Sequence, residues 1–380
     1  MMDLFWKIGF EIELLAPKGL SRQDLAEAIA DRHQGRVERM FHQQVEPSHV
    51  PGHPIFENLT LGYRALDSEG RWIAHCVDDL TLQDDLDKSH PPRPGWYRIV
   101  SDDARFLQLI LCHCNPDHPI DRVLQDLARL FHTTLHRDAS GMCRVCDASG
   151  QSVAIAAPLP GERERPCELV TAPIAQNHSR HLSALLDVAQ QLNFAIPSEG
   201  ATHLHFDATR LCTTQRLKQL VLVFSHWQDT FNRLFRPNPR CRRLGPWPAQ
   251  LLERVCSPDF ERLAWSDACR ALGQLPLTKY CDYNLINIVT QNKAKPTLEV
   301  RNLPATLDSG WILSVASVIE SLLMLICSED AAQTQERLLA TPPTVESLLA
   351  LVEASPAVKA QLHSSLCSDS VQPVAASLNT

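Results

Sequence analysis

The sequence predicts an α+β protein in which antiparallel strands and amphipathic helices share one large core, and three observations carry that prediction. "KIGFEIELL" at 7–15, "ATHLHFD" at 201–207 and "PTLEVRN" at 296–302 alternate apolar and polar residues with period two, as half-buried strands do. Turn sequences such as "DSEG" at 67–70 and "DASG" at 147–150 separate short apolar runs at hairpin spacing. Segments at 21–35 and 118–136 repeat apolar residues at helical spacing.

The elements follow in order. After the first strand, Ser21 is a candidate helix N-cap, with Leu25, Ile29 and less regularly Ala28 on one face and Gly35 as the stop. Residues 55–83 read as antiparallel strands, and "HPPRPG" at 90–95 as a break. Ile120, Val123, Leu124, Leu127 and Leu130 predict a second helix over 118–136, followed by hairpin strands over 142–157. "PLPGERERP" at 158–166 is a loop rich in proline and charge that delivers the chain into "CELVTAPI". A helix over 177–193, a strand over 202–207 and a long helix over 213–235 come next. "RPNPRCRRLGPWP" then forms an arginine-rich loop. Strands at 281–289 and 297–303 precede a helix near 308–327, and the last sixty residues read as helical before a frayed tail.

Composition bounds the function. The chain has 380 residues, and 36 basic against 44 acidic residues leave a net charge of −8, which argues against a dedicated nucleic-acid surface. The N-terminus lacks a basic segment followed by an apolar signal core, and no apolar run approaches bilayer length, so a cytoplasmic protein without a membrane partner is expected. Thirteen cysteines without a framework spacing fit free thiols in a reducing compartment. Cys112 and Cys114 with Cys143 and Cys146 could supply four zinc ligands, but incidental buried cysteines are the preferred reading.

The chemistry sits on the polar sides of the strands. In the first, Ile8, Phe10, Ile12 and Leu14 point one way and Glu11 and Glu13 the other. Ionised carboxylates two residues apart, roughly 7 Å, repel by about 2 kcal/mol at an effective dielectric near 20. The same device recurs: His203, His205 and Asp207 lie opposite Leu204 and Phe206, and Glu299 and Arg301 lie opposite Leu298 and Val300. Glu168 interrupts an apolar run, and "KYCDYNLIN" places Asp282 and Asn284 on one side. Each piece alone is more often a solvated face or a surface pair. On one sheet, the carboxylates would need divalent cations, hard oxygen ligands favour Mg²⁺ or Mn²⁺, and Arg301 beside such a metal suits phosphate. ATP chemistry follows.

These residues resemble the amidoligase family of the glutamine synthetase and glutamate–cysteine ligase superfamily. The resemblance rests on "GFEIE", "CELVTAPI", "GATHLHFD", "KYCDYNLIN" and "TLEVRNLPAT", in that order, across most of residues 7–310. It implies a curved antiparallel sheet of glutamine synthetase-like type carrying the site, with helices packed on its outer face. It implies a catalytic domain over 1–330, with an insertion at about 84–164, and a helical extension with a frayed tail over 331–380. By resemblance, Glu11, Glu13, Glu168, His203 and Glu299 look like metal ligands, and His205 and Arg301 like contacts to ATP phosphates, with Glu299 and Arg301 nearest the chemistry. Lys279 and the loop arginines Arg240, Arg242 and Arg243 are candidate anion contacts, a solvated basic loop being equally expected. Asp79 is a looser acidic match.

The activity implied is ATP-dependent formation of an amide or peptide-like bond between a small-molecule or peptide carboxylate and an amine donor, through an acyl phosphate. Substrate identities, the general base and the oligomeric state stay open. Two rivals remain. "HLHFD" is an HxHxD pattern used by metal-dependent hydrolases, though Ala208 stands where one common version has a further histidine. Guanidino phosphotransfer shares the superfamily sheet.

Overall fold

The computed structural model describes residues 4–50, 53–241, 244–328 and 330–367. It is a mixed α/β structure with a large antiparallel sheet that does not close into a barrel, and twelve α-helices among the described residues. The chain forms two compact units. One comprises Phe10–Ala172 and Leu185–Gly200, here the sheet unit; the other comprises Met1–Gly9, Pro173–Ala184 and Ala201–Thr380, here the helical unit.

The sheet unit begins within β1 (Ile8–Leu15) and continues through α1 (Arg22–Arg32), β2 (Arg36–Val50), β3 (His53–Leu66), β4 (Trp72–Val77) and β5 (Tyr97–Val100). Two helices, α2 (Ala104–His113) and α3 (Gln125–Leu130), precede β6 (Leu135–Arg137), β7 (Cys143–Cys146), β8 (Ser152–Pro158) and β9 (Pro166–Thr171), and the later half of α4 (His178–Gln191), from Leu185 on, also belongs to this unit. Its strands run in the order β1-β9-β4-β3-β5-β8-β7-β6, with β2 paired to β3. The long β3 is covered by β2 on one side and successively by β5 and β4 on the other.

Local chemistry explains the joints. The Ser21 N–H donates to the Asp24 carboxylate at 2.8 Å as α1 starts, and Leu25, Ala26, Ile29 and Ala30 are its buried face. At the stop, Gln34 takes the left-handed conformation, whereas Gly35 is required by close approach: a Cβ there would lie 1.8 Å from the Leu66 carbonyl oxygen. Leu107 and Ile110 of α2, Leu124 just before α3 and Leu127 of α3 pack in one cluster with Phe41, Leu59, Leu61, Tyr97 and Ile99.

The expected helix over 118–136 is corrected to one short helix. Arg122 and Val123 donate to the Pro119 carbonyl in a turn, and helix begins only at Gln125. The apolar spacing was real, since Val123, Leu124 and Leu127 are buried, but proline-bounded turns satisfy most of it. The strands β2 and β5 and the helix α2 carry no expectation from the sequence.

The helical unit holds β10 (Ala201–Asp207), α5 (Thr214–Phe235), α6 (Ala249–Cys256), α7 (Trp265–Gly273), β11 (Tyr283–Asn284), α8 (Ile286–Val289), β12 (Thr297–Pro304), α9 (Ser309–Ile326), α10 (Ala331–Ala340), α11 (Val345–Leu351) and α12 (Pro356–Cys367). Its strand order is β11-β12-β10, all antiparallel. The expected strand over 281–289 shrinks to two residues because the Asn284 side chain accepts from the Ile286 N–H at 2.9 Å and opens a helical turn.

The expectation that no apolar run reaches bilayer length is also corrected. The α9 helix is long and apolar enough by length and composition, but 67% of it is buried, with Trp311, Ile312, Val315, Ile319, Leu322 and Leu323 in the core. The expected frayed tail lies outside the described residues.

Candidate functional site

The sheet unit gathers the carboxylates. Pairing of β1 with β9 sets Glu13 directly opposite Glu168 and Glu11 opposite Val170, while β4 brings Val77 to the other side of Glu168. Directly opposed residues share a face with Cβ atoms about 5 Å apart, and like charges there are destabilising. Carboxylate oxygens of Glu11 and Glu168 come within 4.8 Å of one another. Ile12 and Leu14, of opposite parity, are fully buried.

The electrostatic consequence falls on Glu168. Burial pushes its carboxyl well above the usual range, and the charges of Glu11, Asp79 and Glu13 push it further, as does a hydrogen bond with Glu11. Asp79 is fixed nearby by the Thr81 N–H at 2.7 Å and hydroxyl at 2.8 Å. His42 is pushed down to about 4, first by burial, and is neutral at neutral pH.

The turn that carries Asp79 is anchored by buried charge. Arg163 donates to the Asp78 carboxylate at 2.7 Å and to the Asp79 carbonyl at 3.0 Å. Arg22 lies 3.6 Å from the same carboxylate and stacks on Trp96. Charges this deep are tolerated only as pairs. The whole "ERER" run at 162–165, in the loop rich in proline and charge, is buried.

The helical unit gathers the histidines, Glu299 and Arg301. Register places His205 and Asn284 on either side of Glu299 across β12. The Asn284 amide donates to Glu299 Oε2 at 2.7 Å, and Arg301 Nη1 bonds to Glu299 Oε1. His203 Nδ1 and His205 Nε2 each lie 3.9 Å from that same Oε1. A bulge between the Thr202 and Leu204 pairings sets Arg301 and Asn302 together opposite His203, the kind of irregularity that re-aims a side chain. Glu299, His203 and His205 are all buried.

Other expected residues go elsewhere. The Asp207 carboxylate pairs with Lys7 at 2.9 Å and accepts from the Thr209 N–H at 2.9 Å. Asp282, expected beside Asn284, instead accepts from the Gly245 N–H at 2.9 Å and from Gln228 at 3.3 Å, and burial raises its carboxyl. Lys279 is exposed, its ammonium 5.4 Å from the centre of the Tyr280 ring. Arg240 is exposed, and Arg242 and Arg243 lie outside the described residues. Cys112, Cys114, Cys143 and Cys146 form no metal-holding group among the described residues, whose cysteines are all free.

Sequence reasoning missed Asn284 as the Glu299 partner and His42 altogether; the former was visible as an amide on a short strand, the latter only through its fold neighbours. The donor atoms are carboxylate oxygens and imidazole nitrogens, with the Arg301 guanidinium on Glu299. Both sets suit metal and anion chemistry.

This mixed α/β protein carries candidate metal-holding groups of carboxylates and histidines on its open antiparallel sheet. The chain belongs to the family described as "putative amidoligase enzyme", whose profile matches residues 5–322, and membership points to an enzyme of ligase type. No curated protein matches the chain.

Proposed function

We propose that the protein is an ATP- and Mg²⁺-dependent carboxylate–amine ligase that forms an amide or peptide-like bond through an acyl phosphate. The observation that carries the reading is the opposition of Glu13 and Glu168 across β1 and β9, with carboxylate oxygens of Glu11 and Glu168 within 4.8 Å of one another; burial, and after it the charges of Glu11, Asp79 and Glu13, push the Glu168 carboxyl up. Such a group stores a demand for positive charge that Mg²⁺ or Mn²⁺ on Glu11, Glu13 and Glu168 would meet. The bound metal would neutralise and orient phosphate oxygens.

In this reading the γ-phosphate of ATP passes to a substrate carboxylate. An amine then attacks the activated carbon and phosphate leaves. Arg301 exchanges its bond to Glu299 for phosphate oxygens, a bidentate partner that guanidinium matches. Glu299, held by Asn284, orients His203 and His205 toward further metal or phosphate contacts. Free cysteines agree with a reducing, cytoplasmic setting. The HxHxD hydrolase reading loses its third member, since Asp207 is taken by Lys7.

Calorimetric titration of a non-hydrolysable ATP analogue, with and without Mg²⁺, tests the proposal. Expected is Mg²⁺-dependent binding that Glu13→Ala and Arg301→Ala both abolish. An inert wild type that purifies with zinc would instead put the hydrolase first.

A further inference from the structure

A single buried side chain ties the turn that carries Asp79 to the loop that leads into Glu168. Arg163 Nη2 donates to the Asp78 carboxylate at 2.7 Å and to the Asp79 carbonyl at 3.0 Å, while Nη1 donates to the Leu82 carbonyl at 2.7 Å. Both ends of the turn at 78–82 are therefore bonded to one guanidinium, whose rigid fork of donors can serve several acceptors at fixed angles.

The turn and the loop are each held again from another side. The Gln44 amide of β2 brackets the turn, donating to the Asp78 carbonyl and accepting from the Leu80 N–H at 2.9 Å. Inside the turn, the Thr81 N–H and hydroxyl fix the Asp79 carboxylate. The loop is fixed by the fully buried Arg22, which donates to the Arg163 carbonyl at 2.7 Å and to the Pro166 carbonyl at 3.2 Å.

This clamp lies beside the acidic strands. Val77, which immediately precedes the turn, pairs with Glu168 across β4 and β9, and Glu168 stands five residues after Arg163 in the chain. The charge of Asp79 is among those that push the Glu168 carboxyl up, so the two are within electrostatic reach. One loop thus sets Glu168 through its backbone and Asp79 through the Arg163 side chain. Carboxylates that attract a metal depend on such outer hydrogen bonds for their orientation.

We infer that Arg163 is a positioning residue for the acidic face of the sheet unit: through the turn at 78–82 it holds the Asp79 carboxylate beside Glu168, where it adds to the field that attracts a divalent cation. The inference rests on the proposed function for the presence of a metal, while the clamp rests on the hydrogen bonds of Arg163 and Gln44.

Calorimetric titration of Mn²⁺ alone into the full chain tests this, because position and charge predict opposite signs. Loss of a nearby cation would by Coulomb's law strengthen Mn²⁺ binding, whereas loss of the turn's anchor weakens it. Arg163→Met should therefore weaken binding by about ten-fold or more. Asp79→Asn should weaken it as well, and the double variant should lose no more than Asp79→Asn alone, since the arginine acts through that carboxylate. Arg163→Lys keeps a charge beside Asp78 but not the fork; its thermal unfolding should stay near wild type while Mn²⁺ binding still falls.

Arg163→Met binding that is unchanged or tighter, or losses that add in the double variant, overturn the positioning role and leave the metal reading standing. If Arg163→Met does not fold, a folded Arg163→Lys with wild-type Mn²⁺ affinity overturns it in the same way. Wild-type protein that binds no Mn²⁺ overturns the metal reading and this role for Arg163 together.

Discussion

The carboxylates of the sheet unit and the single carboxylate of β12 face opposite electrostatic situations. Glu299 is buried but compensated: Arg301 and Asn284 bond to it, and two imidazoles lie within 3.9 Å. The Glu168 carboxyl is pushed up, by burial first and then by the charges of Glu11, Asp79 and Glu13. The difference teaches that the two groups need different things. The first is expected to lose stability when a partner is removed, whereas on the proposed reading the second is expected to gain stability when a cation is supplied.

The largest expected effect tests that contrast at its acidic end. Glu168→Gln replaces a carboxyl that burial and its acidic neighbours push up by a neutral isostere, so the metal-free protein should be no less stable, while ATP-dependent turnover falls by roughly 100- to 1000-fold. Thermal unfolding alongside ADP release checks both halves, and a stability loss without an activity loss would reverse the assignment.

Arg301→Ala should behave in the opposite way. It strands a buried Glu299, and breaking such a pair costs about 3 kcal/mol, readable in chemical denaturation without any metal or nucleotide. Glu299→Gln with Arg301→Ala should recover part of that loss, since no unpaired charge then remains.

The pH dependence sharpens the comparison. Glu168 titrates above its unfolded value, so the folded state holds the extra proton. Its contribution is complete below the ordinary glutamate range and falls as pH rises from there toward the raised value. Metal-free melting temperature should therefore decline across that window, and Mg²⁺, which binds the ionised form, should raise it most at the alkaline side. A Mg²⁺ effect equal at all pH values would remove Glu168 from the metal-holding set.

The smallest effect concerns the rejected histidine–aspartate cluster. Asp207→Asn breaks a half-exposed pair with Lys7 and should cost no more than about 1 kcal/mol, leaving metal content unchanged. Loss of metal on that substitution would revive the hydrolase.

Much of this arrangement was legible in period-two alternation. The polar parity of Glu11 and Glu13, of His203 and His205, and of Glu299 and Arg301 follows from the strand pleat alone, and the structure keeps it. Alternation failed where a side chain captured the backbone, as Asn284 does in ending β11, and where prolines broke a helical spacing, as at 116–124. The β2 strand escaped notice because "RVERMFHQQVE" mixes charge into both parities, and only its long pairing with β3 makes it a strand.

The sequence by itself determined which side chains face away from the apolar side of each strand, because that parity is set by covalent geometry within a few residues. It also determined the family, through five motifs in a fixed order. Only the tertiary structure decided the partners: that Glu13 meets Glu168, that Asp207 turns to Lys7, and that the "ERER" run is buried against Asp78 and α1 rather than solvated. Register and charge pairing depend on residues 85 or more positions apart, and no local pattern encodes which of them will be brought face to face.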